Sequence, residues 1–343
     1  MKRIITLTSA FILLLAGSIA LDAKKNAPQL IIFDTDMGND VDDVMALDLL
    51  YKYMDAGKVK LLAVMSNKEG NGSERFLDIL NTWYGYPHLP IGVVRNGAHR
   101  DDPSNYARTV TNKNEQGEYH FKTTVKDVSN LPDAHELYRK ILARQKDGSV
   151  VIISTGFSTN LARLLSTQGD QYSPLSGREL IARKVRYISI MAGCFDGRAN
   201  NQYSEYNVNN DIPACAQLYR ECPVPIVTSP FEVGEAITYP AESIENDFTW
   251  AKEHPMVEAY ISYIKMPHNR PTWDLTSVLE VIEPGKYMTR SLPGTITVDS
   301  KGVTTFRPHA DGLHTYLTVT QGQCQRIRDF FVKVLTTPTK KKH

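Results

Sequence analysis

Asp34, Asp36, Asp40, Asp42 and Asp43 put five carboxylates into the ten residues Asp34-Thr35-Asp36-Met37-Gly38-Asn39-Asp40-Val41-Asp42-Asp43. The apolar Ile31-Ile32-Phe33 precedes them, and Val44-Met45-Ala46-Leu47 begins a helical pattern behind them. Like charges at this density repel one another strongly unless a cation neutralises them. Carboxylate oxygens with no His or Cys beside them select a hard ion, Ca²⁺ or Mg²⁺, over Zn²⁺. Helix capping accounts for Asp40 or Asp42 at a helix start, but hardly for all five. Further along, Asn200, Asn201, Glu205 and Asn207 offer the mixture of donors and acceptors that sugar hydroxyls require. The plain alternative there is a polar surface loop.

The elements that must position these groups follow from the apolar pattern. β-Rich runs recur at 30–33, 60–66, 90–94, 149–154, 185–192 and 225–229, and helical patterns at 42–53, 71–84, 133–144 and 159–165 lie between them. This alternation predicts an α/β fold, a single-domain, open, doubly wound and mainly parallel sheet with helices on both faces. Ligands of such sheets sit beyond the carboxyl ends of the strands, where the acidic run lies. The stretch 98–126 lacks a sustained period and reads as a surface loop over the site. Helix returns over 247–279, and 294–306 alternates like an edge hairpin. The domain is expected to span 24–335, followed by a disordered basic tail at 336–343.

The acidic run resembles the amino-terminal motif of the inosine-uridine-preferring nucleoside hydrolases, Asp-x-Asp-Pro-Gly-x-Asp-Asp-Ala, with two residues inserted and Met37 in place of Pro. It also shares its opening with the haloacid-dehalogenase phosphatases, in which Asp34 would be a Mg²⁺-dependent nucleophile. Later segments are similar to the hydrolases in the same order: Ala63-Val64-Met65-Ser66-Asn67, then Ser154-Thr155-Gly156-Phe157-Ser158-Thr159-Asn160-Leu161-Ala162, then Met191-Ala192-Gly193 with the Asn200–Asn207 stretch, and finally Arg270-Pro271-Thr272-Trp273-Asp274. The resemblance implies Ca²⁺-dependent hydrolysis of an N-ribosidic bond, with Asp36 as general base for a water held by the metal. Asp36, Asp43, Asp274 and the Thr155 carbonyl would hold the metal. Asn67 would assist catalysis, and Asp42, Asn200, Asn201, Glu205 and Asn207 would hold the ribose. Asp34 would support this shell from behind, and Asp40 is open to a role in it. Trp273 stands where many members carry a His that protonates the leaving base; an indole stacks on a base but donates no proton at neutral pH. His268 is a nearby candidate acid.

The formal net charge of +1 over 343 residues gives no broad basic field, so nucleic acid is not an expected partner and a small nucleoside is. Met1-Lys2-Arg3 with the apolar run from Ile4 to Ala20 has the form of a secretory leader, 1–23, which predicts a periplasmic or secreted protein that keeps no membrane contact after cleavage. Cys194, Cys215, Cys222 and Cys324 form no metal motif and read as small buried hydrophobes, a disulfide being the alternative. The resemblance also implies a homodimer or homotetramer. An exported nucleoside- or sugar-binding protein that kept the site and lost turnover is the rival reading from another class.

Overall fold

The computed structural model describes residues 27–70, 72–98 and 105–341. The expected leader, 1–23, lies outside them. The strands are β1 (Gln29–Thr35), β2 (Val59–Ser66), β3 (Ile91–Val93), β4 (Val150–Ser154), β5 (Val185–Met191), β6 (Ile226–Ser229), β7 (Thr238–Tyr239), β8 (Arg270–Pro271), β9 (Thr289–Arg290), β10 (Gly294–Val298), β11 (Thr304–Pro308) and β12 (His314–Thr318). The large sheet runs in the order β11-β10-β12-β6-β5-β4-β1-β2-β3, with β9 paired to β12. From β12 to β3 every pairing is parallel, and β10 and β11 close one edge antiparallel.

Alternate residues of β1 explain why its sequence is a continuous apolar run. Ile31 and Phe33 enter one core with Leu47 and Leu50 of helix Asp42–Asp55, Leu275 of helix Trp273–Ile282 and Phe331 of helix Gln321–Leu335. Ile32 enters the other, with Leu137, Leu161, Leu180 and Leu218 of the helices on the opposite face. Each fully buried aliphatic side chain contributes roughly 1.5–3 kcal/mol, and two such cores let the sheet tolerate several costly buried carboxylates at its centre. The chain reverses its winding between β1 and β4. That switch point is where an open parallel sheet leaves a crevice beyond its carboxyl ends.

Three expectations are modified. Inside 98–126 the described residues include a short helix, Tyr106–Val110, whose Asn105 side chain accepts the Arg108 N–H at 3.0 Å. The helical stretch over 247–279 divides into Pro255–Tyr263 and Trp273–Ile282 around β8, which pairs with β7. Pro267 and Pro271 lack the N–H that a continuous helix needs there. The tail is placed as far as 341: the Lys340 N–H donates to Asp55 at 2.9 Å and Lys341 Nζ to the Thr82 carbonyl at 2.6 Å. The edge hairpin forms as expected, Gly294 opposite Pro308 and Val298 opposite Thr304. All four cysteines are free thiols, and Cys194, Cys215 and Cys222 are buried. Among the described residues no helix is long and apolar enough to cross a membrane.

Candidate active site

The acidic run leaves β1 at the switch point and turns into helix Asp42–Asp55 with its aspartates facing inward. Asp34 lies behind the site, fully buried, its carboxylate accepting from Asn67 Nδ2 at 2.9 Å, Asn160 Nδ2 at 3.0 Å and the Tyr138 hydroxyl at 2.8 Å. Burial pushes it up to about 7 against the pull of these three donors. So enclosed a carboxylate has no access to a phosphoryl group, which removes the basis for a phosphatase nucleophile. Asn67 also accepts the Phe157 N–H at 3.0 Å, tying the ends of β1, β2 and β4 together.

Asp36 lies at the floor of a cavity of about 260 Å³ that Asp42, Asp43, Thr155, Glu205, Asn207, Trp273 and Asp274 also line. That is just below the roughly 300–1,000 Å³ of drug-sized sites, room for a compact ligand and not for a polymer. Burial raises Asp36 to about 6, Lys68 opposing, and its Oδ2 accepts from Asn39 Nδ2 at 2.8 Å. Asn39 Oδ1 in turn accepts from Lys68 Nζ at 2.6 Å and the Tyr206 hydroxyl at 3.0 Å. Gly156 permits this packing: a Cβ there would lie 2.6 Å from the Asp36 nitrogen and 2.4 Å from Asn67 Oδ1.

Asp36, Asp43 and Asp274 each present a carboxylate oxygen within 4.8 Å of the other two, all three residues buried. Burial first, and then their mutual repulsion, lifts Asp43 and Asp274 well above the carboxylate range. Asp43 Oδ1 accepts from the hydroxyls of Thr35 and Thr155, but its Oδ2 is buried with no hydrogen-bond partner among the described residues. Asp42 is held differently, its Oδ2 accepting the Asp274 N–H at 2.9 Å. Three converging oxygens with an orphaned lone pair and no His or Cys fit a hard divalent cation.

On the facing wall, Glu205 caps helix Tyr206–Asn210, accepting the N–H groups of Asn207 at 2.9 Å, Gly193 at 3.1 Å and Val208 at 3.3 Å. Asn207 Nδ2 donates to the Met191 carbonyl at 3.2 Å. Burial raises Glu205 to about 7. Asn200 and Asn201, expected beside them, are exposed and do not line the cavity: both have positive φ, 52° and 58°, in a turn that carries them outward. His268 is not a lining residue either; its ring stacks on Tyr260 at 4.6 Å. Trp273 does line the site, its Nε1 held by the Phe231 carbonyl at 2.8 Å and its ring 5.3 Å from the Phe231 ring. Asp40 pairs with Arg270, Nε to Oδ1 at 2.8 Å. Sequence reasoning missed Asn39, Tyr206, Phe231, Tyr263 and Arg270, which with Asp40 and Met191 complete the lining among the described residues.

Fold and site together define an α/β protein with a compact, buried acidic site at the switch point of a parallel sheet. The chain belongs to the inosine-uridine preferring nucleoside hydrolase family, whose sequence profile matches residues 31–333. Solved structures share the fold. A purine-preferring ribonucleoside hydrolase from Gardnerella vaginalis aligns with a TM-score of 0.70 at 16% identity, covering 90% of this chain and 98% of its own. A plant nucleoside hydrolase aligns at 0.68 and 18% identity, over 91% of this chain and 100% of its own. The inosine-uridine preferring nucleoside hydrolase from Bacillus anthracis aligns at 0.64 and 18%, over 90% and 99%. Comparison with curated proteins gives no match.

Proposed function

We propose that this protein hydrolyses the N-glycosidic bond of ribonucleosides to ribose and free base in a calcium-dependent reaction. The observation that carries the reading is the buried Asp36–Asp43–Asp274 triad with its unpartnered Asp43 oxygen. These three carboxylates, with Thr155 beside them, would hold the cation, which when bound supplies the positive charge that acidifies water and orients a sugar diol. Asp36 takes the proton from the attacking water as its oxygen meets the anomeric carbon, and the C–N electron pair leaves with the base. Asp42, Glu205 and Asn207 face the sugar hydroxyls; a carboxylate has about four acceptor sites, so Glu205 retains capacity beyond its backbone bonds. Phe231, Trp273, Tyr206 and Tyr263 form an aromatic slot for the base. The basic leader and apolar run support export, hence scavenging of external nucleosides, and the family resemblance supports a dimer or tetramer.

The test is release of reducing sugar from a panel of purine and pyrimidine nucleosides by the mature protein, with calcium and then with excess chelator. Chelator-sensitive release supports the reading and ranks the bases. Calcium binding without release from any nucleoside shifts the function to a nucleoside-binding protein.

A further inference from the structure

A nucleobase that leaves with the C–N electron pair acquires negative charge, and the site must meet that charge. Among the described residues, those lining the cavity include no histidine and no lysine, and Arg270 is the single cation. Its guanidinium lies 5.2 Å from the Trp273 ring centroid and 4.9 Å from that of Tyr263, and both rings line the site. The group is fixed in place. Nε and Nη2 donate to the two carboxylate oxygens of Asp40, and Nη2 donates also to the Tyr263 hydroxyl at 3.0 Å. Nη1 has no protein partner among the described residues, so two N–H donors remain on an otherwise anchored fork.

Resting on the hydrolase reading, we propose that Arg270 is the electrophile for the leaving group: its Nη1 N–H groups bind the departing base and stabilise the negative charge that the C–N electron pair brings to it. Arg270 gives up no proton in this role. The base leaves as a hydrogen-bonded anion and takes its proton from solvent, while water completes the sugar and delivers its own proton to Asp36. Asp40 is a positioning residue, since its two oxygens hold the opposite edge of the guanidinium and set where Nη1 points. Burial opposes the charge on Arg270, but the Asp40 hydrogen bond and negative charge hold its pKa above the ordinary arginine value, so it stays cationic throughout the enzyme's pH range. Preorganised donors aimed at developing charge are worth most in such a partly dry site.

The calcium-loaded protein and its Arg270→Gln and Arg270→Lys variants would be compared on inosine and on a series of substituted phenyl β-ribofuranosides, 4-nitrophenyl included, whose leaving groups need progressively less help. Arg270→Gln should lose about 10²–10³-fold in kcat/KM on inosine and less than about tenfold on the 4-nitrophenyl riboside. Its plot of log kcat/KM against leaving-group pKa should be steeper than the parent's, with Arg270→Lys between the two. The nitrophenyl substrate reports at once whether a variant is folded. An equal loss on every substrate overturns the inference and leaves the hydrolase reading standing. If the parent protein cleaves no riboside, the hydrolase reading falls and the inference with it.

Discussion

Two clusters among the described residues bring three potential ligand atoms within 4.8 Å of one another, Asp36–Asp43–Asp274 and Cys194–Asp196–Glu232. By spacing alone they are equals. In the first, all three carboxylates are buried, Lys68, linked to Asp36 by Asn39, opposes the rise there, and burial still pushes Asp36 up to about 6. In the second, Asp196 is exposed and bound by Arg198, Nη2 to Oδ2 at 2.6 Å, which holds its carboxyl well below the usual range. Arg198 also pairs with Glu235, and the Cys194 thiol, raised to about 12 by burial, donates to Asp196 at 3.3 Å. Converging ligand atoms therefore do not alone mark a candidate cation site; burial that crowds like charges together is the sharper signal.

The sharpest break in this comparison is Asp36→Asn, expected, at saturating Ca²⁺, to lower kcat by roughly 10²–10⁴-fold and nucleoside affinity by far less, read by steady-state kinetics and calorimetry. A variant that keeps its rate would strip Asp36 of the base role. Next, Asp43→Ala or Asp274→Ala should weaken Ca²⁺ binding more than about 100-fold, beyond the 10–100-fold typical of outer supporting groups, whereas Asp196→Asn should leave it unchanged in titration calorimetry. Equal losses at both clusters would erase the contrast. Asn67→Ala, which removes a support of Asp34 and of the β4 turn, should cost 10–100-fold in metal affinity or activity.

A smaller difference concerns pH. Asp34, Asp36 and Glu205 have folded values near 7, 6 and 7, above their ordinary 3.8, 3.8 and 4.5. The folded, metal-free protein thus binds more protons than the unfolded chain between about pH 4 and 7, and its stability declines as pH rises through that window. Thermal melts of the chelated protein should show the decline, and added Ca²⁺ should flatten it. A melting temperature that rises over the same range without metal would contradict the burial argument. Asp196 has the opposite sign: its lowered value gives stability that is present above about pH 4 and lost below it. Because that pair is partly solvated, Arg198→Gln should cost no more than about 1 kcal/mol.

Much of this was legible in the order of residues. The six apolar runs became β1 to β6 because strands buried on both faces need no alternation, and the acidic run became the site because it follows the central strand. Asp36, Asp42, Asp43, Thr155, Glu205, Asn207, Trp273 and Asp274 all line one cavity. The failures have physical reasons. Asn200 and Asn201 carry the right functional groups, but consecutive left-handed residues turn them to solvent, a backbone choice that composition does not reveal. Phe231 and Tyr263 reach the site from segments whose local pattern records only packing. The one available signal for Arg270 was an extra aspartate, Asp40, in the inserted stretch, a carboxylate in excess of the cation's needs that required a partner of its own.

The Asp42–Asp274 contact joins residues separated by 232 positions. Pairings of such long sequence separation close late, since the chain entropy lost in bringing them together is returned only once much of the domain is in place. Until helix Trp273–Ile282 docks, the nascent acidic run has two members of its triad and lacks the third, so on the proposed function cation capture would mark the completion of the fold. Calcium-induced fluorescence changes during refolding would then track the last slow step, and a chain truncated before Trp273 would stay a poor cation binder however well its amino-terminal strands had formed.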